Sequence, residues 1–277
     1  MPTPINAVYD LGGTGPITLY SHATGFHAMC WQPIANRLSN HHNIAYDARG
    51  HGNTPVDPEW IVDWKTHGAD AAAMAATLHD NGPVLGVGHS MGGAAMLMAA
   101  LAQPQLFRGL IVYEPIVTPP EVSIPGNGGA ADQGGGNFLA AGARKRRSTF
   151  ESFEAAIANY SAKPPLNVFD RECLEAYVRG GFAEGPDSHV HLKCAPESEA
   201  RNYEAGGNHN TWIRLGELRI PVWVICGLPQ PMQPSSRMRA LAEQIPSARY
   251  IEPDNLGHFG PMQAPAQIAE IIASFPA

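Results

Sequence analysis

The sequence predicts an α/β fold in which a mostly parallel sheet is flanked by helices. Three observations point to it. Short apolar runs of strand character alternate with helical patterns along most of the chain, and such alternation demands crossover connections between parallel strands. Residues 84–93 read Val-Leu-Gly-Val-Gly-His-Ser-Met-Gly-Gly, so an apolar strand passes through Gly-x-Ser-x-Gly straight into an Ala/Met/Leu-rich helix over 94–101. The 277 residues, 44% hydrophobic and 16% charged, supply a sizeable core, and α/β folds of this length often form one unit.

In order, residues 5–10 read as a short strand closed by the turn Gly12-Gly13-Thr14-Gly15-Pro16. Residues 17–21 form the next strand and enter His22-Ala23-Thr24-Gly25-Phe26. Trp31, Ile34, Ala35 and Leu38 recur at helical spacing over 31–38. A strand at 43–47 leads into the Gly-rich loop Ala48-Arg49-Gly50-His51-Gly52-Asn53, and 64–79 is an Ala-rich helix. After the Ser90 turn come strands at 109–113, 221–226 and 248–252, a helix near 236–244 and a closing helix over 267–274. Between 118 and 212 no buried strand is expected. That block opens with Pro119-Pro120 and a Gly-rich run over 126–136, then shows helical patterns around 138–160 and 171–180. Inserted between two core strands, it would sit over their C-terminal ends as a cap, and the Gly-rich run reads as a lid hinge or a plain surface loop.

Composition narrows the function classes. A formal net charge of −7 leaves no basic face for nucleic acid, and no apolar run is long enough to span a bilayer. The N-terminus has neither the charged lead nor the apolar core of a signal peptide. Cys30, Cys173, Cys194 and Cys226 lie far apart without a Cys-x-x-Cys pair, which predicts free thiols in a reducing cytoplasm and no structural zinc. His189, His191, Cys194 and His209 have ligand chemistry but match no compact spacing, so no metal and no cofactor is expected.

The turn at Ser90 requires Gly88 and Gly92 for close backbone approach and presents the serine beside a helix N-terminus with free N–H groups. With that turn, the His22 loop, the Asp47-x-x-Gly50-His51-Gly52 loop and Leu256-Gly257-His258-Phe259, the chain resembles the α/β-hydrolase superfamily over nearly its whole length. The resemblance implies the α/β-hydrolase fold, with a core of 1–117 and 213–277 and a largely helical cap of 118–212. It also implies a nucleophile, an acid and a histidine in that chain order. Ser90 and His258 take the outer roles, since a serine hydroxyl needs a base at neutral pH. His89 must point away from the serine oxygen and reads as structural, as do His22 and His51.

The acid departs from the family pattern. The loop after the strand at 222–226 carries Gln230 where an Asp is usual, and glutamine cannot supply the charge that orients an imidazolium. The superfamily's other location is the end of the preceding core strand, where Glu114 stands. A carboxylate ending a buried strand needs a partner, which His258 would be; an arginine such as Arg108 is the other candidate. Asp254 lies too close to His258 along its own loop. The resemblance further implies an oxyanion hole from the backbone N–H groups of Met91 and of Thr24, with Ala23 next in line.

Phe26, Tyr160, Phe182, Trp212 and Met232, with Phe169 and Tyr177, form either a substrate pocket or the cap's own core. The basic run at residues 144–147 reads as a solvated helix face rather than an anion site. The expected partner is a small molecule carrying an ester, lactone or activated ketone, bound by a monomer or homodimer. A carbon–carbon bond hydrolase of ring-cleavage ketones and a non-catalytic small-molecule receptor are the competing functions, the latter kept open by Gln230.

Overall fold

The computed structural model describes residues 6–57, 59–120, 137–230 and 233–276. In chain order the strands are β1 (Val8–Gly12), β2 (Ile17–Ser21), β3 (His42–Tyr46), β4 (Val84–His89), β5 (Phe107–Tyr113), β6 (Thr149–Phe150), β7 (Phe182–Glu184), β8 (Val190–Leu192), β9 (Val222–Ile225) and β10 (Ala248–Ile251). Among the helices, α1 (Gln32–Ala35), α2 (Trp64–Leu78) and α3 (Met91–Ala102) precede the insertion. Within it lie α4 (Phe138–Arg144), α5 (Phe153–Ser161), α6 (Arg171–Gly181), α7 (Pro196–Ala205) and α8 (Thr211–Arg214). The chain closes with α9 (Met238–Glu243), α10 (Gly260–Gln263) and α11 (Pro265–Ala273).

The main sheet runs β1-β3-β2-β4-β5-β9-β10, with β1 antiparallel to β3 and the other pairs parallel. The alternate residues of its central strands serve opposite layers. Leu110, Val112, Val222 and Val224 pack with Trp64, Met74, Leu97 and Leu241 on one face. Leu85, Val87, Ile111 and Trp223 pack with Trp31, Ile34, Ile268 and Ile272 on the other. Helices cover both faces, so both sets are buried and the strands read in sequence as unbroken apolar runs. β4 is the central strand, and the segments leaving β2, β4, β5, β9 and β10 all emerge at the same edge.

Strand boundaries fall within about three residues of expectation, whereas the helix expected at 31–38 contracts to a 3-10 turn (Ala28–Trp31) followed by α1. The insertion corrects the sequence reading. Besides its helices, residues 137–212 carry a three-stranded antiparallel sheet in the order β6-β8-β7. Strands of two or three residues are too short to show a period, although Phe150, Phe182 and Val190 are buried. The Gly-rich run and Met232 lie outside the described residues.

Two glycines hold the Ser90 turn together by having no side chain. A Cβ on Gly88 would lie 2.5 Å from the Gly92 carbonyl oxygen, and one on Gly92 would lie 2.2 Å from the Ser21 carbonyl oxygen at the end of β2. Neither backbone neighbour yields cheaply. Gly92→Ala is therefore expected to destabilise the fold by roughly 1–3 kcal/mol through overpacking. Gly142→Ala in α4, where a Cβ meets open space, should leave stability unchanged or slightly raised. Thermal unfolding of the two variants side by side checks the contrast; equal midpoints would contradict it.

Candidate functional site

Ser90 adopts φ +55° between β4 and α3, a backbone region that L-residues avoid, and its N–H donates to the Tyr113 carbonyl at 2.9 Å. Met91 follows as the first residue of α3, so its N–H has no acceptor within the helix. Among the described residues Ser90 Oγ makes no hydrogen bond, to His258 or to any other group.

Glu114 directly follows β5 with φ +41°, is 0% exposed, and donates its N–H to the Ile225 carbonyl at 3.0 Å. Its carboxylate has two partners. Oε1 accepts the Gly227 N–H at 2.7 Å, and Oε2 faces His258 Nδ1 at 2.6 Å. That contact orients the histidine ring, with Nδ1 facing the carboxylate and Nε2 on the opposite side of the ring. Ser90, Glu114 and the distant surface Ser188 are the non-glycine residues with positive φ among those described. Strain of this kind costs on the order of 1–3 kcal/mol per residue and persists where the surroundings impose it.

The His258 loop is pinned from three sides. Tyr113 Oη donates to the Gly257 carbonyl at 2.6 Å, and His89 Nε2–H donates to the His258 carbonyl at 2.8 Å. Gly227 lies so close to the same loop that a Cβ there would meet the Gly257 carbonyl oxygen at 2.6 Å. Sequence reasoning missed Tyr113, whose only signal is its place just before Glu114. Gln230 is exposed, its N–H bonded to Ser235 Oγ, and its side chain makes no hydrogen bond to His258. Asp254 is exposed as well.

The loop after β2 turns tightly, the Phe26 N–H donating to the Ala23 carbonyl at 3.1 Å, with Gly25 at φ +78°. Among the described residues the Thr24 N–H donates to no acceptor, while Thr24 Oγ1 contacts Met91 Sδ at 3.4 Å. His22 braces the loop: Nδ1–H donates to the Ala23 carbonyl at 2.8 Å and Nε2 accepts the Ala48 N–H at 2.9 Å. The buried Asp47 carboxylate ties the neighbouring loops by accepting from Ala28 N–H, Asn53 N–H and Tyr9 Oη–H.

The expected pocket residues divide. Phe26 packs at 6.0 Å from Phe259 and from the His89 ring, beside the histidine. Tyr160 and Phe182 belong with Phe150 to the aromatic cluster of the insertion, where Phe182 is fully buried. Trp212 packs on the core layer of α2 and α3 instead. The basic run also divides. Arg144 and Arg147 are exposed, but Arg146 is only partly exposed, its side chain at 16%, a correction to the solvated-face reading: it follows the end of α4, so helix-face periodicity does not apply to it.

Five histidines around the site are buried, and burial lowers the basicity of His22, His27, His51, His67 and His89, with His27 brought down to about 4. The hydrogen bonds agree. His27 Nε2–H donates to the Tyr177 carbonyl, His51 Nδ1–H to the Arg49 carbonyl and His67 Nε2–H to Asn202 Oδ1. The other nitrogen of each is buried without a partner, so protonation would add an unpaired N–H and a charge to the interior. A base with a depressed folded pKa takes up its proton on unfolding. Stability is therefore full above the unfolded value near 6.5 and lost as pH falls from there toward 4, each histidine contributing a slope of up to about 1.4 kcal/mol per pH unit. Thermal midpoints should be level between pH 7 and 8 and fall steadily below about 6.5; a level midpoint down to pH 4.5 would contradict this.

Residues 19–271 match the model of a family described as the alpha/beta hydrolase family. A stretch of 113 residues is 34% identical to lipase LipV of Mycobacterium tuberculosis, covering 40% of this chain and 41% of that protein. Another of 157 residues is 31% identical to protein phosphatase methylesterase 1 of Mus musculus, covering 54% and 37%. The chain thus spans about two fifths of the length of these curated relatives. The solved structure of E-2-(acetamidomethylene)succinate hydrolase superposes with a TM-score of 0.74 over 98% of both chains at 19% identity, a likeness of fold.

Proposed function

The chain belongs to the alpha/beta hydrolase family, and on that footing we propose that it is a serine hydrolase cleaving a carboxylic ester or lactone of a small molecule through an acyl-enzyme. The observation that carries the reading is the 2.6 Å contact between Glu114 Oε2 and His258 Nδ1 at the rim of the Ser90 turn. It supplies the charge that Gln230 cannot. In the proposed reaction Ser90 Oγ adds to the carbonyl carbon while its proton passes to His258 Nε2. Glu114 stabilises the imidazolium, and the N–H groups of Met91 and Thr24 bind the oxyanion. Collapse expels the alcohol, which takes the proton from His258 and leaves the acyl group on Ser90. Water, deprotonated by His258, then releases the acid and restores the serine. Ester and water are the only reactants, so the cycle as written calls for no cofactor.

In this reading residues 1–117 and 213–277 are the catalytic core and 118–212 the cap, whose aromatic cluster meets Phe26 and Phe259 beside the histidine. No described helix is long and apolar enough to cross a membrane. The four cysteines are buried and unpaired, which supports a reducing compartment such as the cytoplasm.

The test is turnover of p-nitrophenyl esters of graded chain length together with labelling by a fluorophosphonate. The proposal expects hydrolysis of at least part of the series and one label per chain, on Ser90. A protein that hydrolyses none of them and stays unlabelled would overturn it and favour a ligand-binding role on the same fold.

A further inference from the structure

The least exposed member of the basic run is joined to the loop that carries Thr24. The Arg146 guanidinium, with a side chain 16% exposed, pairs with Glu199 of α7, itself 6% exposed. Its Nη2 also donates to Tyr177 Oη at 2.6 Å and to Tyr160 Oη at 3.3 Å. Tyr177 Oη in turn donates to the Gly25 carbonyl at 3.2 Å. From its other end, the Tyr177 carbonyl accepts His27 Nε2–H at 2.9 Å. Glu199 rests on Gly25 so closely that a Cβ there would lie 2.4 Å from its Oε1. Three separate segments of the insertion, those of Arg146, Tyr177 and Glu199, thus converge on residues 25–27 of the core, with Tyr160 joined to them through Arg146.

We propose that Arg146, Glu199 and Tyr177 are positioning residues that hold the 22–27 loop in the shape that aims its N–H group at the developing oxyanion. The inference rests on the serine-hydrolase reading above and goes beyond it by making the cap part of the oxyanion hole. The physical argument is one of cost and reach. Desolvating a guanidinium and a carboxylate is expensive, and an isolated buried pair is a poor source of stability. Here the pair is seated against a glycine at φ +78°, and the charge-assisted bond to Tyr177 polarises the hydroxyl that grips the Gly25 carbonyl. The Thr24 peptide N–H lies one residue before that carbonyl, so tilting Gly25 re-aims it. Displacements of about an ångström at such donors can lower turnover by about a hundredfold.

The decisive variants are Tyr177→Phe, which deletes one oxygen, and the double change Arg146→Met with Glu199→Leu, which removes both charges and leaves neither unpaired. Arg147→Ala is the control, since Arg147 is exposed and pairs with Glu151 at 2.9 Å. Three readouts are taken: kcat and KM on a p-nitrophenyl ester, affinity for phenylboronic acid as an oxyanion mimic, and amide hydrogen exchange over residues 22–27. In both decisive variants kcat should fall roughly tenfold to a hundredfold with KM within about threefold, boronate affinity should fall in parallel, and exchange at 22–27 should quicken. Melting points near wild type in Tyr177→Phe separate this from unfolding. Unchanged kcat, boronate affinity and exchange would overturn the proposal, and so would a rise in KM alone, which assigns the residues to substrate binding. If wild type hydrolyses no ester, the serine-hydrolase reading is what fails. Exchange then decides the clamp by itself, quickened exchange upholding it and unchanged exchange overturning it.

Discussion

Ser90→Ala is expected to lower kcat for ester hydrolysis by roughly 10⁴- to 10⁶-fold and to abolish fluorophosphonate labelling. In the proposed mechanism no acyl-enzyme forms without that oxygen, so any remaining turnover would come from direct attack of water on the ester. The substitution removes one buried atom from a turn whose geometry is imposed by Gly88, Gly92 and the bond from Ser90 N–H to the Tyr113 carbonyl. Alanine keeps all of these, so the thermal midpoint should stay within a few degrees of wild type. A folded variant with kcat within tenfold of wild type would remove Ser90 from the chemistry.

Glu114→Gln is expected to lower kcat by about 10⁴-fold while leaving KM and the fold nearly unchanged. Glutamine matches the volume, and its carbonyl oxygen can still accept the Gly227 N–H. Its amide nitrogen would then face His258 Nδ1 as a donor, so Nδ1 must accept and the proton moves to Nε2. That tautomer cannot take a proton from Ser90, and no charge remains to stabilise an imidazolium. Gln230→Asp should change kcat by less than about threefold, because the side chain is exposed and makes no bond to the histidine. If Glu114→Gln stays near wild type and Gln230→Asp gains activity, the acid has been placed on the wrong strand. Steady-state kinetics on the ester used for Ser90→Ala measures both.

The positive φ values at Ser90 and Glu114 bear on this assignment. Two neighbouring strands, β4 and β5, are each followed at once by a residue held in strained backbone, one carrying a hydroxyl and the other a carboxylate. Burying Glu114 completely adds a desolvation cost that its bonds to Gly227 and His258 offset. A site selected for stability alone would hold an apolar residue there.

Much of the core was legible in the chain itself. The parallel strands bury both faces and so appear as apolar runs, and the Ser90 turn depends on glycines two residues either side of the serine, all within one local stretch. The candidacy of Glu114 followed from the same locality, as a carboxylate closing an apolar strand when position 230 carries glutamine. The insertion was less legible. Its strands β6, β7 and β8 have two or three residues each and no period to detect, and the charge of Arg146 pointed to solvent when its partners lay 14, 31 and 53 residues further on.

Local sequence was therefore enough for the order of strands and helices in the core, the tight turn that presents Ser90, and the chemical types available near it. Each of these is set by residues adjacent in the chain, through side-chain size and backbone sterics. It took the fold to show which carboxylate meets His258, that Tyr113 and His89 pin the histidine loop, and that an arginine of the insertion is linked to the β2 loop through Tyr177. The pairings of Glu114, Tyr113 and His89 with the histidine loop join residues more than a hundred positions apart, and nothing local distinguishes a charge that will be shielded beside a partner from one that will face water.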